Sequence, residues 1–294
     1  MAIDIHPLHP VFVGEVSGAD LSQTLTPANV AAIEAGMDRY GVLVFHGQDI
    51  TDEQQVAFSR NFGEIELAVG GNVTQAEERR LPVEIADVSN LDQNNQVLAR
   101  DDRRRMFNLG NQLWHSDSSF RAVPAKYSLL SGRRVQTSVG NTEFCDMRAA
   151  YDDLDAATKL EIEDLITEHS LIYSRGILGF GEYSEAEMKM FTPVRQRLVR
   201  THRVTGRKSL YLASHAGEIE DLPRPEALML LRELTEHATQ REFVYSHKWR
   251  VGDLIMWDNR TTMHRATRYD DLLHTRDLRR TTVTDGVETI AQAA

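Results

Sequence analysis

At 294 residues and 41% apolar content, the chain is long enough for one large domain or two small ones around a packed core. Its net charge of −11 argues against nucleic acid as the main partner, because phosphate binding needs a basic surface, but leaves room for a small anionic ligand held by local arginines. The single Cys145 excludes an internal disulfide and fits a cytoplasmic location; MAIDIHPLHP has neither the basic nor the apolar region of a secretory signal, and no apolar run approaches the ~18 residues of a membrane span.

In chain order, residues 11–17 and 41–46 read as strands with a helix between them from Thr26 to Tyr40. Thr26 is a fitting N-cap and Pro27 a fitting first helical residue. Thr51, followed by Glu53 and Gln54, starts a second helix through VAFSRNF in the same way. Residues 64–110 lack periodicity, are rich in charge, Asn and Gly, and contain RDDRRR at 100–105. They read as a long functional loop leading into the segment around Trp114, with a disordered surface insertion as the alternative. From Trp114 onward short β-type runs dominate: YSLLSGRRV, TEFCDM, RLVRTH, SLYLAS, REFVYSHKW, DLIMWD and LRRTTV. Helices interrupt them near 147–168 and 225–238. Residues 173–196, rich in Gly and aromatics, form a candidate lid. The expected architecture is a single domain over residues 1–294, mainly β with flanking helices, in the form of a double-stranded β-helix, or jelly roll.

Within that frame, His115 and Asp117 form an HxD pair, flanked by Trp114 and Phe120, and His264 follows the apolar run LIMW and a polar turn. Two histidines and one carboxylate, the first two one residue apart, have the spacing of a facial triad that holds Fe(II) and leaves positions open for substrate and O₂. If the pair lies on a strand, its two side chains share a face. A solvated His-Ser-Asp turn is the bland alternative for the pair alone. Beyond His264, Arg276 and Arg280 lie at i and i+4 on a β-type segment, on one face, where guanidinium forks can bind carboxylates. A surface ion pair is the alternative for Arg280, and Arg279 falls on the opposite face. Trp257 and Asp258 read as a core aromatic and a turn carboxylate, and His202 as a hydrogen-bonded core residue or a ligand contact.

The segments 42–63, NQLWHSDSSF (111–120), GNTEFCDMRAAYDDL (140–154), 198–217, 236–249, GDLIMWDNRTTMHRATRYD (252–270) and RDLRRTTV (276–283) carry a resemblance. In order and content, they resemble the taurine dioxygenase/2,4-dichlorophenoxyacetate dioxygenase family of Fe(II)- and 2-oxoglutarate-dependent oxygenases. The likeness is nearest to the alpha-type 2,4-dichlorophenoxyacetate branch. The resemblance implies that His115, Asp117 and His264 bind iron. It implies that 2-oxoglutarate chelates that iron, with Arg276 clamping its distal carboxylate and Thr142 assisting. It matches Arg280 to the arginine that meets the substrate's acidic group, and places His215, in SHAG, near the substrate pocket. The chain departs from the branch where GGNVTQ (70–75) and DQNNQV (92–97) replace loop lysines, and where Glu218 replaces a second histidine.

The reaction so implied uses 2-oxoglutarate and O₂ as cosubstrates. It hydroxylates the carbon next to the carboxylate of an aryloxyalkanoate, giving a phenol and an oxoacid beside succinate and CO₂. A taurine-type sulfonate or alkyl-sulfate dioxygenase is the nearest alternative. A zinc hydrolase with the same triad, or a non-catalytic jelly-roll binding protein, stands further off, because neither needs a dicarboxylate clamp beside an intact triad. The expected partner is a small anionic organic molecule, in a cytoplasmic homo-oligomer with no nucleic acid or membrane partner.

Overall fold

The computed structural model describes residues 3–68 and 73–292. The first strands, β1 (Asp4–Pro7) and β2 (Gly14–Ser17), form a hairpin, and helix α1 (Pro27–Tyr40) follows. The Thr26 side chain accepts from the Asn29 amide at its N-terminus. Gly41 closes it at φ 72°, a left-handed conformation in which a side chain would also meet Arg148. Strand β3 (Val42–Phe45) leads into α2 (Asp52–Ser59), where Thr51 and Gln54 form a reciprocal capping box.

The stretch read as a loop from 64 to 110 holds more structure than its sequence suggests. Among its described residues it contains β4 (Ala86–Ser89) and the short helix α3 (Arg103–Asn108). Strand β4 is half-buried at a sheet edge and has little apolar pattern to betray it. In GGNVTQ, residues 70–72 lie outside the described residues; DQNNQV forms a tight turn in which the Asp92 side chain accepts from the Asn94 and Gln96 amides.

Next come β5 (Ala125–Arg134), β6 (Thr142–Asp146), α4 (Met147–Asp153), α5 (Ala156–Ile162) and β7 (Ile166–His169). The helix expected over 147–168 is therefore two helices and a strand. Asp155 caps α5 and breaks the run. The segment 173–196 contains most of α6 (Leu171–Gly176), all of α7 (Glu185–Met190) and the start of β8 (Val194–Arg197). Then follow β9 (Val199–Thr201), β10 (Lys208–Leu210), β11 (Ala216–Ile219), α8 (Arg224–Ala238), β12 (Val244–His247), β13 (Leu254–Asp258), β14 (Thr262–Ala266) and β15 (Asp277–Thr284). No helix among the described residues is long and apolar enough to cross a membrane.

The large sheet has the order β1-β2-β3-β13-β5-β15-β4, antiparallel except for β2 with β3. Facing it is the sheet β12-β6-β14; β11-β7-β8 and the pair β10-β9 complete the jelly roll. The continuous apolar runs VLVF and LIMW follow from burial on both faces. Leu43, Phe45, Leu254 and Met256 pack with Ile33, Met37 and Phe58 under α1 and α2. Val42, Val44, Ile255 and Trp257 point the other way, into a layer shared with Phe144, Leu130 and Leu278. The metal-ligating candidates sit at the edge of this inter-sheet layer.

Candidate metal centre

His264 lies on β14, directly opposite Phe144 of β6, with its ring 4.6 Å from that of Trp257. His115 is joined to it by a one-residue bridge: each backbone amide donates to the other's carbonyl, at 3.0 and 2.9 Å. The two imidazole rings stand 4.2 Å apart. The HxD pair does not lie on a continuous strand. Only His115 forms a bridge; Asp117 opens a turn that continues through Ser118 at φ 54°, and its carboxylate lies beside the two rings. Asp117 Oδ1 lies 3.9 Å from His115 Nε2, and Oδ2 lies 3.6 Å from His264 Nε2. The ligand atoms of the three residues all lie within 4.8 Å of one another, the only such group among the described residues, and all three side chains are buried.

The donor set suits a divalent cation. His115 Nδ1 sits 2.7 Å from the Leu113 carbonyl, which places the proton on Nδ1 and leaves Nε2 a lone pair toward the site. Burial lowers the affinity of both imidazoles for a second proton, most strongly at His264. Burial alone would raise the Asp117 carboxyl. The Arg280 guanidinium, foremost among its neighbours, outweighs it, and that carboxyl is held down to about 2. The result is two neutral imidazoles and one carboxylate.

A network absent from the sequence reading aims Asp117. Its amide donates to Asn259 Oδ1 at 3.0 Å, and its Oδ2 accepts from Ser128 Oγ at 2.7 Å. Asn259 Nδ2 donates to Ser128 Oγ, and Trp257 Nε1 donates to Asn259 Oδ1, each at 3.0 Å. The sequence clue is Ser128, a hydroxyl at a fully buried position of β5, between Tyr127 and Leu129. Outer partners of this kind tune metal affinity, so Asn259→Ala is expected to weaken metal binding by roughly 10–100-fold. Metal titration checks this; affinity equal to wild type would mean that the turn alone positions Asp117.

Two cavities meet at Arg280, beside this triad. The first runs from His115 and His264 to Arg276, past Thr142, Leu130 and Leu278. Arg276 is buried, its guanidinium lies 5.3 Å from the centre of the Tyr269 ring, and no carboxylate among the described residues pairs with it. A desolvated cation without a counter-anion is costly unless a ligand supplies one, so this end suits a carboxylate. Thr142 Oγ1 accepts from Trp249 Nε1 at 3.0 Å, which leaves its own proton for a ligand. The second cavity is lined by Phe107, Phe120, Glu66, Arg121 and Arg175. Arg280 lines both, and its guanidinium donates to Asp117 Oδ1 at the divide.

The other sequence candidates fall further out. His215 is packed edge-on against His115 and Phe120, with Nδ1 2.8 Å from Ser174 Oγ; it lines neither cavity. His202 lies between Asp38 and Asp258, at 3.6 Å from each. Arg279 points away to Asp52 at 2.6 Å and Asp277 at 3.3 Å. Glu218 is exposed and paired with Arg224.

Residues 4–282 match the family described as "Taurine catabolism dioxygenase TauD, TfdA family". The chain is 50% identical to the alpha-ketoglutarate-dependent 2,4-dichlorophenoxyacetate dioxygenase of Cupriavidus pinatubonensis, over 97% of this chain and 99% of that one. It is 37% identical to the (S)-phenoxypropionate/alpha-ketoglutarate-dioxygenase of Sphingobium herbicidovorans, over 92% and 91%. Among solved structures, AAD-2 in complex with Mn(II) and N-oxalylglycine superposes with a TM-score of 0.96 at 60% identity, covering 98% of this chain and 100% of that one.

Proposed function

The chain belongs to the taurine catabolism dioxygenase TauD, TfdA family, and from that premise we propose that it hydroxylates aryloxyalkanoates at the carbon next to the carboxylate. It is a 2-oxoglutarate-dependent dioxygenase that works with Fe(II) and O₂. The observation that carries the reading is a buried His-Asp-His triad joined by one cavity to a buried arginine that lacks a counter-anion.

The iron and 2-oxoglutarate supply the oxidising chemistry: substrate, 2-oxoglutarate and O₂ become hydroxylated substrate, succinate and CO₂. The chain's own residues bind and orient. His115, Asp117 and His264 hold the metal. Arg276 and the Thr142 hydroxyl hold the distal end of 2-oxoglutarate in the first cavity. The second cavity takes the substrate, with Arg280 at the divide to meet its acidic group and Phe107 and Phe120 to pack against its ring. His215 acts at one remove, by packing behind His115. Hydroxylation next to the ether oxygen gives a hemiacetal, which loses the phenol and leaves an oxoacid.

Residues 1–294 work as one catalytic domain in this reading. The 64–110 loop and the 173–196 lid close the second cavity together, because Arg103 of α3 grips Glu187 of α7 at 2.7 and 3.0 Å. A homo-oligomer in the cytoplasm completes the proposal; light scattering of the purified chain tests the first point.

Substrate choice is tested by succinate release across phenoxyacetates, phenoxypropionates, taurine and alkyl sulfates, in wild type and Arg280→Ala. Phenoxyalkanoates are expected to lead. Arg280→Ala is expected to weaken their use far more than it weakens the use of 2-oxoglutarate. Faster succinate release with taurine than with every phenoxyalkanoate would overturn the substrate class and leave the iron chemistry standing.

A further inference from the structure

A second buried arginine, in the wall of the second cavity, has no counter-anion among the described residues. Arg175 sits in α6, within the segment read as a lid, and its residue is only 6% exposed. It forms no ion pair with any described residue, and its Nε has no hydrogen-bond partner among them. Its remaining hydrogen bonds are long and neutral: Nη1 to Ser174 Oγ at 3.3 Å and Nη2 to Asn111 Oδ1 at 3.4 Å. The guanidinium stacks 4.7 Å from the centre of the Phe107 ring. Gly110 makes room for it, since a Cβ there would fall 2.2 Å from Arg175 Cζ.

Position gives this cation a use. Arg175 lines the second cavity with Phe107, Phe120 and Arg280. Arg280 already shares its charge with the Asp117 carboxylate, whereas Arg175 shares its charge with no anion. Burial depresses the guanidinium to about 10, still well above neutrality, so it remains charged. A desolvated charge of this kind is costly unless a ligand completes it. The ring below it and the ring of Phe120 offer an apolar wall beside the cation, a pairing that suits an aromatic anion.

We infer that Arg175 is a second substrate-anchoring residue, which binds the carboxylate of an aryloxyalkanoate in the cavity it shares with Arg280. The inference rests on the substrate reading above and assigns recognition of the anion to two arginines on different elements, β15 and α6. Because α6 belongs to the candidate lid, an anion bound by both would also fasten that segment over the cavity.

The test is calorimetric titration of phenoxyacetate, and of its uncharged methyl ester, into protein loaded with Mn(II) and N-oxalylglycine. Wild type, Arg175→Met and Arg175→Lys are compared. Arg175→Met is expected to raise the Kd of the acid by at least ~30-fold, the scale for losing one partner of a buried charged pair. The Kd values of the ester and of N-oxalylglycine should stay within about 3-fold, well under one decade of affinity. Arg175→Lys should recover part of the loss, since an ammonium keeps the charge but not the fork. Equal weakening of acid and ester, or no weakening of the acid, would reduce Arg175 to a packing role and overturn the inference. If Arg175→Met does not fold, as judged by N-oxalylglycine binding, Arg175→Lys decides on the same acid-to-ester comparison. If wild type binds no aryloxyalkanoate, the substrate reading fails on its own, and the same variants titrated with an alkanesulfonate and its neutral ester decide Arg175.

Discussion

Asp117→Ala and His264→Ala are each expected to abolish iron binding and turnover while the jelly roll survives. Each residue supplies one of three ligand atoms in the only such group among the described residues. Two remaining ligands cannot define one face of an octahedral ion with open positions opposite. The structural costs differ between the variants. Removing the His264 ring takes away a side chain packed on Trp257 and Phe144, and costs a few kcal/mol by the measure of other large-to-small core changes. Removing the Asp117 carboxylate strands Arg280, but that side chain is 21% exposed and borders two cavities, so it can reach solvent. Asp117→Asn is the sharper control, because it preserves the shape and an acceptor for Ser128 while removing the charge and the oxygen that accepts from Arg280. Equilibrium dialysis with Fe(II), alongside circular dichroism and succinate release, separates loss of metal from loss of fold. Iron held at wild-type affinity in both alanine variants would sink the assignment.

Much of this arrangement was legible in the sequence because local signals and burial agree. Thr26 with Pro27, and Thr51 with Gln54, mark helix starts that the structure contains. VLVF and LIMW announce strands buried on both sides, and such strands carry the inter-sheet layer in which His264 lies. The HxD spacing located two ligand candidates, yet the strand geometry offered for it does not hold. Asp117 sits at the start of a turn, not on a strand face shared with His115. Long-range polar partners left fainter traces. Asn259 reaches Asp117 and Ser128 from a segment distant in the chain, and an asparagine in a turn announces nothing by itself. Arg175 is hidden for a similar reason. Its value lies in what it lacks, a counter-anion, and only the folded surroundings reveal that. β4 was missed because ADVS at a sheet edge buries too little to need an apolar pattern.

Arg276→Ala is expected to raise the 2-oxoglutarate requirement at least ~30-fold. The guanidinium sits at the end of the cavity that starts at His115 and His264, above the Tyr269 ring and without a carboxylate among the described residues. A carboxylate bound there would gain a charge-assisted, two-pronged contact out of water, and Lys cannot reproduce it. Losing one partner of such a pair costs roughly 2–5 kcal/mol, and about 1.4 kcal/mol corresponds to each decade of affinity. Titration of N-oxalylglycine into Mn(II)-loaded protein reads the loss directly, free of turnover. Arg276→Lys should fall between the alanine variant and wild type. The neighbouring arginines cannot easily substitute. Arg279 is committed to Asp52 and Asp277 on the other side of the sheet, and Arg280 to Asp117 at the metal end of the cavity. An unchanged requirement in Arg276→Ala would therefore move the distal carboxylate to Arg280, the only one of these neighbours that lines the same cavity, and would reverse the orientation of 2-oxoglutarate in that cavity.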